Sequence, residues 1–154
     1  MMRNMQASLW LGLLIGLTAT GCGKNLPALT EVEGVVLLDD EPLPHAFVQF
    51  MPQLDNFGAE YNSTAVTDDK GHFTLKCYKD DLWGAVIGKH VVLVTDYLPP
   101  ELRGRDAQEK FAEYYEELKN RPIPENFGSV IKTPLRIEVT GDQKSYKLEL
   151  TRPK

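Results

Sequence analysis

Three histidines, two cysteines and two acidic turns are the residues of this 154-residue chain whose types could carry chemistry. His45, His72 and His90 fall on three different expected strands, at or near their starts. No two of them have the H-x-H, H-x-x-H or H-x-x-x-H spacing that aims a pair of imidazoles at one metal ion. A metal or catalytic role would need the fold to bring them together with a carboxylate. Asp39-Asp40-Glu41 and the turn of Asp68, Lys70 and Gly71 could offer oxygens to calcium if the two turns met. Neither has the alternating oxygen ligands of a calcium loop, and Asp is a turn former in its own right. Cys77, flanked by apolar positions, reads as a buried free thiol. No glycine-rich phosphate loop, G-x-S-x-G elbow or H-E-x-x-H helix occurs. The expectation is a chain without catalytic, cofactor-binding or metal-binding residues.

Charge narrows the partners. Lys and Arg number 17 against 22 Asp and Glu, a net charge of −5 with a pI near 5.2. That argues against nucleic acid and against a basic patch on a membrane surface. Two cysteines are too few for a disulfide framework.

The remaining cysteine, Cys22, closes a segment that should not enter the folded body. Arg3 supplies a short positive region, and residues 9–17 form an apolar run too short to span a bilayer comfortably. Ala19-Thr20-Gly21-Cys22 then resembles a bacterial lipobox, with Ala19 standing where Leu is preferred. The resemblance implies cleavage after residue 21 and diacylglycerol on the Cys22 thiol, which would exclude a bridge to Cys77. It implies export and lipid anchoring to the bacterial cell envelope, at the outer membrane or a periplasmic face. Gly23 rather than Asp after the cysteine leans towards the outer membrane. The expected organisation is a signal peptide at 1–21, a tether at 22–30 and one domain at 31–154.

The elements of that domain follow from hydrophobic period. Alternating apolar runs broken by Pro, Asp and Gly clusters predict short antiparallel strands. Val32, Gly34, Val36 and Leu38 share one face of the first; Ala46, Val48 and Phe50 share one face of the second. A hairpin is expected around Asp68-Asp69-Lys70-Gly71, with Phe73, Leu75 and Cys77 on one face. A fifth strand at 89–95 is apolar on both faces. A last hairpin turns at Gly141-Asp142, with Leu135, Ile137, Val139, Tyr146, Leu148 and Leu150 inward.

The pattern Gly34, Val36, Leu38, Asp39, Pro42, Leu43, Pro44, Ala46, Val48 and Phe50, followed by Thr67, Asp68, Gly71, Phe73 and Leu75, resembles the transthyretin-like, carboxypeptidase-regulatory-like β-sandwich. Small exported lipoproteins of planctomycete-type bacteria carry this cassette, and Pro122-Ile123-Pro124-Glu125-Asn126-Phe127 is similar to a segment common among them. The resemblance implies an all-β, seven-stranded antiparallel Greek-key sandwich of prealbumin type. Its quoted residues are turn and core positions, so it implies a fold rather than a chemistry.

Residues 97–132 interrupt the sandwich. Within them Asp106 and Glu109 resemble a capping box, and Phe111, Tyr114, Tyr115 and Leu118 form one face of an amphipathic helix. Arg121-Pro122 stops it. That stripe is expected to cover the outward apolar residues Val35, Leu37, Val91 and Leu93. The functional expectation is a non-catalytic envelope module with a structural or binding role, its partner a protein or polysaccharide. The alternatives are an accessory subunit docking through the 106–120 helix, or an enzyme or metal site built by the insertion.

Overall fold

The computed structural model describes residues 26–55, 58–102 and 107–153. The segment 1–21, Cys22 and Asp106 lie outside them. The described chain is mostly β, with three sheets and one helix. In order it runs β1 (Leu29–Thr30), β2 (Glu33–Leu38), β3 (Glu41–Pro42), β4 (Ala46–Pro52), β5 (Ser63–Val66), β6 (His72–Thr74), β7 (Lys76–Cys77), β8 (Ala85–Val86), β9 (Gly88–Asp96), α1 (Ala107–Glu117), β10 (Arg136–Val139) and β11 (Ser145–Leu150). Single 3-10 turns stand at Pro100–Leu102 and Glu125–Gly128, before and after α1.

Five strands form one sheet in the order β10-β9-β4-β5-β7. The second holds β11 beside β2, with β3 and β6 on the other side of β2. β1 and β8 make a two-stranded ribbon, which places Leu29 and Thr30 of the 22–30 stretch in a strand. The two larger sheets share one core. Val32, Val36, Leu38, Tyr146, Leu148 and Leu150 come from one side; Val48, Phe50, Val92, Val94 and Val139 come from the other. The Phe50 and Phe73 rings meet across it at 6.2 Å. Every residue expected on the inward face of the first two strands except Gly34 is buried, because a period of 2 leaves one side of each strand apolar.

Gly34 has its own reason. A Cβ there would lie 2.1 Å from the Tyr146 carbonyl oxygen and 2.7 Å from the Phe73 ring, so glycine lets β11 and Phe73 close over β2.

Three expectations of strand pairing are corrected. The sheets are not wholly antiparallel: β11 pairs with β2 in parallel, Ser145 opposite Glu33 through Leu150 opposite Leu38. The Gly141-Asp142 turn does not close a hairpin, since β10 pairs with β9 in one sheet and β11 with β2 in the other. Its two strands face the same core from opposite sides, so both keep the inward alternation that a hairpin would show. The strand after Gly71 likewise divides at Leu75: β6 pairs with β2, and β7 crosses to β5.

The helix does not cover all four outward residues expected of it. Val35 and Leu37 lie on the outer face of one sheet, Val91 and Leu93 on the outer face of the other, and an 11-residue helix cannot reach both. Its main contact among the elements is with the turn at Pro100–Leu102. Phe111, Tyr114, Tyr115 and Leu118 are half-buried, with Phe111 stacked obliquely on Tyr114 and Tyr115, while Glu113, Glu116 and Glu117 are exposed.

Candidate functional site

Two of the three histidines end beside a carboxylate, each in a separate place. His45 Nε2 lies 3.1 Å from Asp69 Oδ1, the histidine half-buried and the aspartate exposed. This pair borders a shallow groove of about 280 Å³ whose described lining is Pro44, His45, Asp69, Glu117, Leu118 and Lys119. A histidine held by a carboxylate is half of a nucleophile-activating set, but this lining has no Ser, Thr or Cys to activate. His72 Nδ1 stands 3.8 Å from Asp68 Oδ2 within the same turn, exposed to solvent.

His90 lies in the core, 1% exposed, with its ring 5.6 Å from that of Phe50. Its Nδ1 is 3.0 Å from the Gly88 carbonyl oxygen; a carbonyl only accepts, so Nδ1 carries the proton and donates. The other nitrogen, Nε2, is buried without a hydrogen-bond partner. Burial pushes this imidazole below its ordinary value near 6.5, opposed by the bond to Gly88. The histidines therefore do not converge. Among the described residues no group of three or more His, Cys, Asp and Glu side chains is arranged to hold a metal ion.

The two acidic turns do come side by side. A Cβ on Gly71 would touch the Val36 carbonyl oxygen and stand 3.5 Å from Pro42 Cα. Their carboxylates are nevertheless turned to other partners. Asp68 accepts from the backbone N–H groups of Lys70 and His72 at 2.9 and 2.8 Å, the second of which chiefly holds its carboxyl below the usual range. Asp39 accepts from the Arg152 backbone N–H at 3.0 Å and pairs with its guanidinium. The Arg152 backbone bond is the main cause of a lowered Asp39 carboxyl. The crossing between the turns is locked by Thr67, 2% exposed: its hydroxyl donates to the Leu43 carbonyl at 2.7 Å and accepts from the Ala46 N–H at 2.8 Å.

Cys77 is a buried free thiol, packed with Tyr61 and Val86 in a second small core; Leu29 and Leu54 lie against it. Its Sγ lies 3.8 Å from the Glu60 carbonyl oxygen. Cys22 lies outside the described residues.

The largest polar constellation was not expected from the sequence. Asn120, at φ 58, donates its amide to the carbonyls of Leu38 at 2.9 Å and Glu41 at 3.1 Å. Its amide oxygen accepts from Arg152 Nη2 at 2.9 Å. Arg121 pairs with Asp96 and donates to the carbonyls of Pro44 and His45 at 2.8 and 3.2 Å. Asn120-Arg121 so fastens the end of the helical insertion to the 38–45 crossing, to the end of β9 and, through Arg152, to the C-terminal segment. Five fixed donors suit a guanidinium to this task. The signal available in the sequence was an Asn behind a helix followed by Arg-Pro; its partners, up to 82 positions away, carried none. No family model, no curated protein and no solved structure matches the chain.

Proposed function

We propose that this chain is a non-catalytic, exported cell-envelope module, lipid-anchored through Cys22, with a structural role or a role in binding an envelope protein or polysaccharide. The proposed body is a transthyretin-like Greek key of the seven longer strands. Its support is that successive strands pass between the two larger sheets: β2 in one, β4 and β5 in the other, β6 back, β9 and β10 across again, β11 back. The anchor reading rests on the lipobox-like Ala19-Thr20-Gly21-Cys22 behind the 9–17 apolar run, and β1 begins at Leu29, seven residues after Cys22. An acylated cysteine would thus pass almost directly into a folded body. Among the described residues, Arg121 and Arg136 spend their guanidiniums chiefly on backbone carbonyls, and Asp39 holds the Arg152 backbone N–H, which suits a rigid displayed body rather than a reacting site.

Docking through the helix stripe is less well supported, because Phe111, Tyr114, Tyr115 and Leu118 are half-buried rather than free. Metabolic labelling with an alkyne fatty acid in a bacterial host tests the proposal. Wild type should carry the label, and Cys22→Ser should lose it and pass to the soluble fraction. An unlabelled wild type would leave a freely secreted domain.

A further inference from the structure

Among the described residues, five of the eight large apolar side chains left exposed belong to one ribbon: Leu26, Tyr78, Leu82, Trp83 and Ile87. The ribbon has three members. Cys77 N–H donates to the Leu82 carbonyl at 2.7 Å, which sets β7 beside the segment 82–87. Ile87 N–H donates to the Ala28 carbonyl at 2.8 Å, and Leu29 pairs with Val86, which sets β1 on the other side. Exposed apolar residues scattered singly mean little; several gathered on neighbouring segments mark a surface suited to an apolar or interfacial partner.

We propose that this ribbon lies against the bilayer, with Trp83, Leu82 and Ile87 in the headgroup zone. The proposal rests on the lipid-anchor reading and names the surface that the anchored body turns to the membrane. The chain's own length argues for that occupant. Ala28 is six residues from Cys22, so an anchored Cys22 stands no more than about 22 Å from it along the most extended chain. Ala28 is bonded to the ribbon itself. A protein partner would have to fit between this strip and the membrane within that reach.

The chemistry agrees. Trp and Tyr favour the membrane–water interface, where a ring can be half apolar and half wet. Trp83 is 61% exposed, and Lys76 Nζ stands 5.2 Å from its ring centroid. The neighbouring carboxylates of Asp80 and Asp81 are paired with Lys79 and Lys76, so they do not face an anionic headgroup unneutralised. A strip this small would bind a bilayer weakly alone. Tethering turns that weak contact into an intramolecular one.

Processing at Cys22 removes Trp10 and leaves Trp83 as the chain's one tryptophan. The test is the full-length protein produced in a bacterial host and reconstituted into phosphatidylcholine–phosphatidylglycerol vesicles, with or without acyl-chain bromination. Trp83 emission should be blue-shifted and strongly quenched by the brominated lipid. The double substitution Leu82→Glu and Ile87→Glu should cut the quenching several-fold while the Cys22 fatty-acid label and the circular dichroism stay unchanged. Unquenched emission from fully labelled protein would overturn the proposal and leave the anchor standing. Blue-shifted but unquenched emission would overturn it too, marking a second copy or another protein over the ring. A missing label would overturn both readings together.

Discussion

The Arg121 guanidinium, its side chain 5% exposed, is paired with the Asp96 carboxylate at the last residue of β9. The same guanidinium reaches the Pro44 and His45 carbonyls just ahead of β4, so one side chain joins the ends of two neighbouring strands to the insertion between β9 and β10. Arg121→Ala should cost about 2–3 kcal/mol in urea denaturation, because it strands a half-shielded carboxylate and two carbonyls. Arg121→Lys should recover less than half of that loss, since a single ammonium cannot span these acceptors. Equal stability of wild type and Arg121→Ala would remove the insertion clamp from the account.

Thr67 closes the first crossing between the sheets. Thr67→Val keeps the shape but leaves the Leu43 carbonyl and the Ala46 N–H without their hydroxyl partner. The expected cost is about 2–3 kcal/mol by denaturant unfolding, with Thr67→Ser losing about 1 kcal/mol for the missing methyl. A valine as stable as threonine would mean that the hydroxyl bonds contribute nothing net.

His90 should make the fold acid-sensitive. Its native imidazole sits below the ordinary value near 6.5, so under mild acid the unfolded chain takes up a proton that the native chain resists. Stability from this group is whole above about pH 6.5 and falls as pH drops towards the native value, by up to about 1.4 kcal/mol per pH unit. His90→Phe should flatten the urea midpoint between pH 7.5 and 5.5, while wild type declines. Parallel slopes for the two proteins would contradict the burial of an uncharged ring.

Gly84 positions the ribbon next to the proposed anchor. At φ +108 it occupies backbone space that L side chains rarely adopt, and a Cβ would lie 1.9 Å from the Thr30 carbonyl oxygen. Gly84→Ala should therefore release β1 from β8 at a cost of at least about 2 kcal/mol. Amide exchange at Ile87, whose N–H is held by Ala28, should accelerate. Unchanged protection there would show that β1 docks without needing a glycine opposite it.

The faces of the strands were legible from the sequence because alternation reports which side of a strand is apolar. Which sheet a strand joins was not, since that signal says nothing about its neighbour. Val139 and Tyr146 both point inward whether their strands pair as a hairpin or face each other across the core, and they face each other. β1, β3 and β8 are two residues each, too short to show a period. The helix stripe was legible while its destination was not, because four half-buried apolar residues do not name the surface that meets them. The Asn120–Arg121 clamp was hidden for a different reason: its partners are mostly backbone carbonyls, which any residue supplies.

The central claim is that Cys22 carries lipid and begins the mature chain. Intact-mass and N-terminal peptide mass spectrometry on protein purified from a bacterial membrane fraction tests it most directly. The account predicts a first residue of Cys22 with a diacylglycerol thioether on its sulfur. A mature protein starting elsewhere, or a Cys22 with a free thiol, would contradict it.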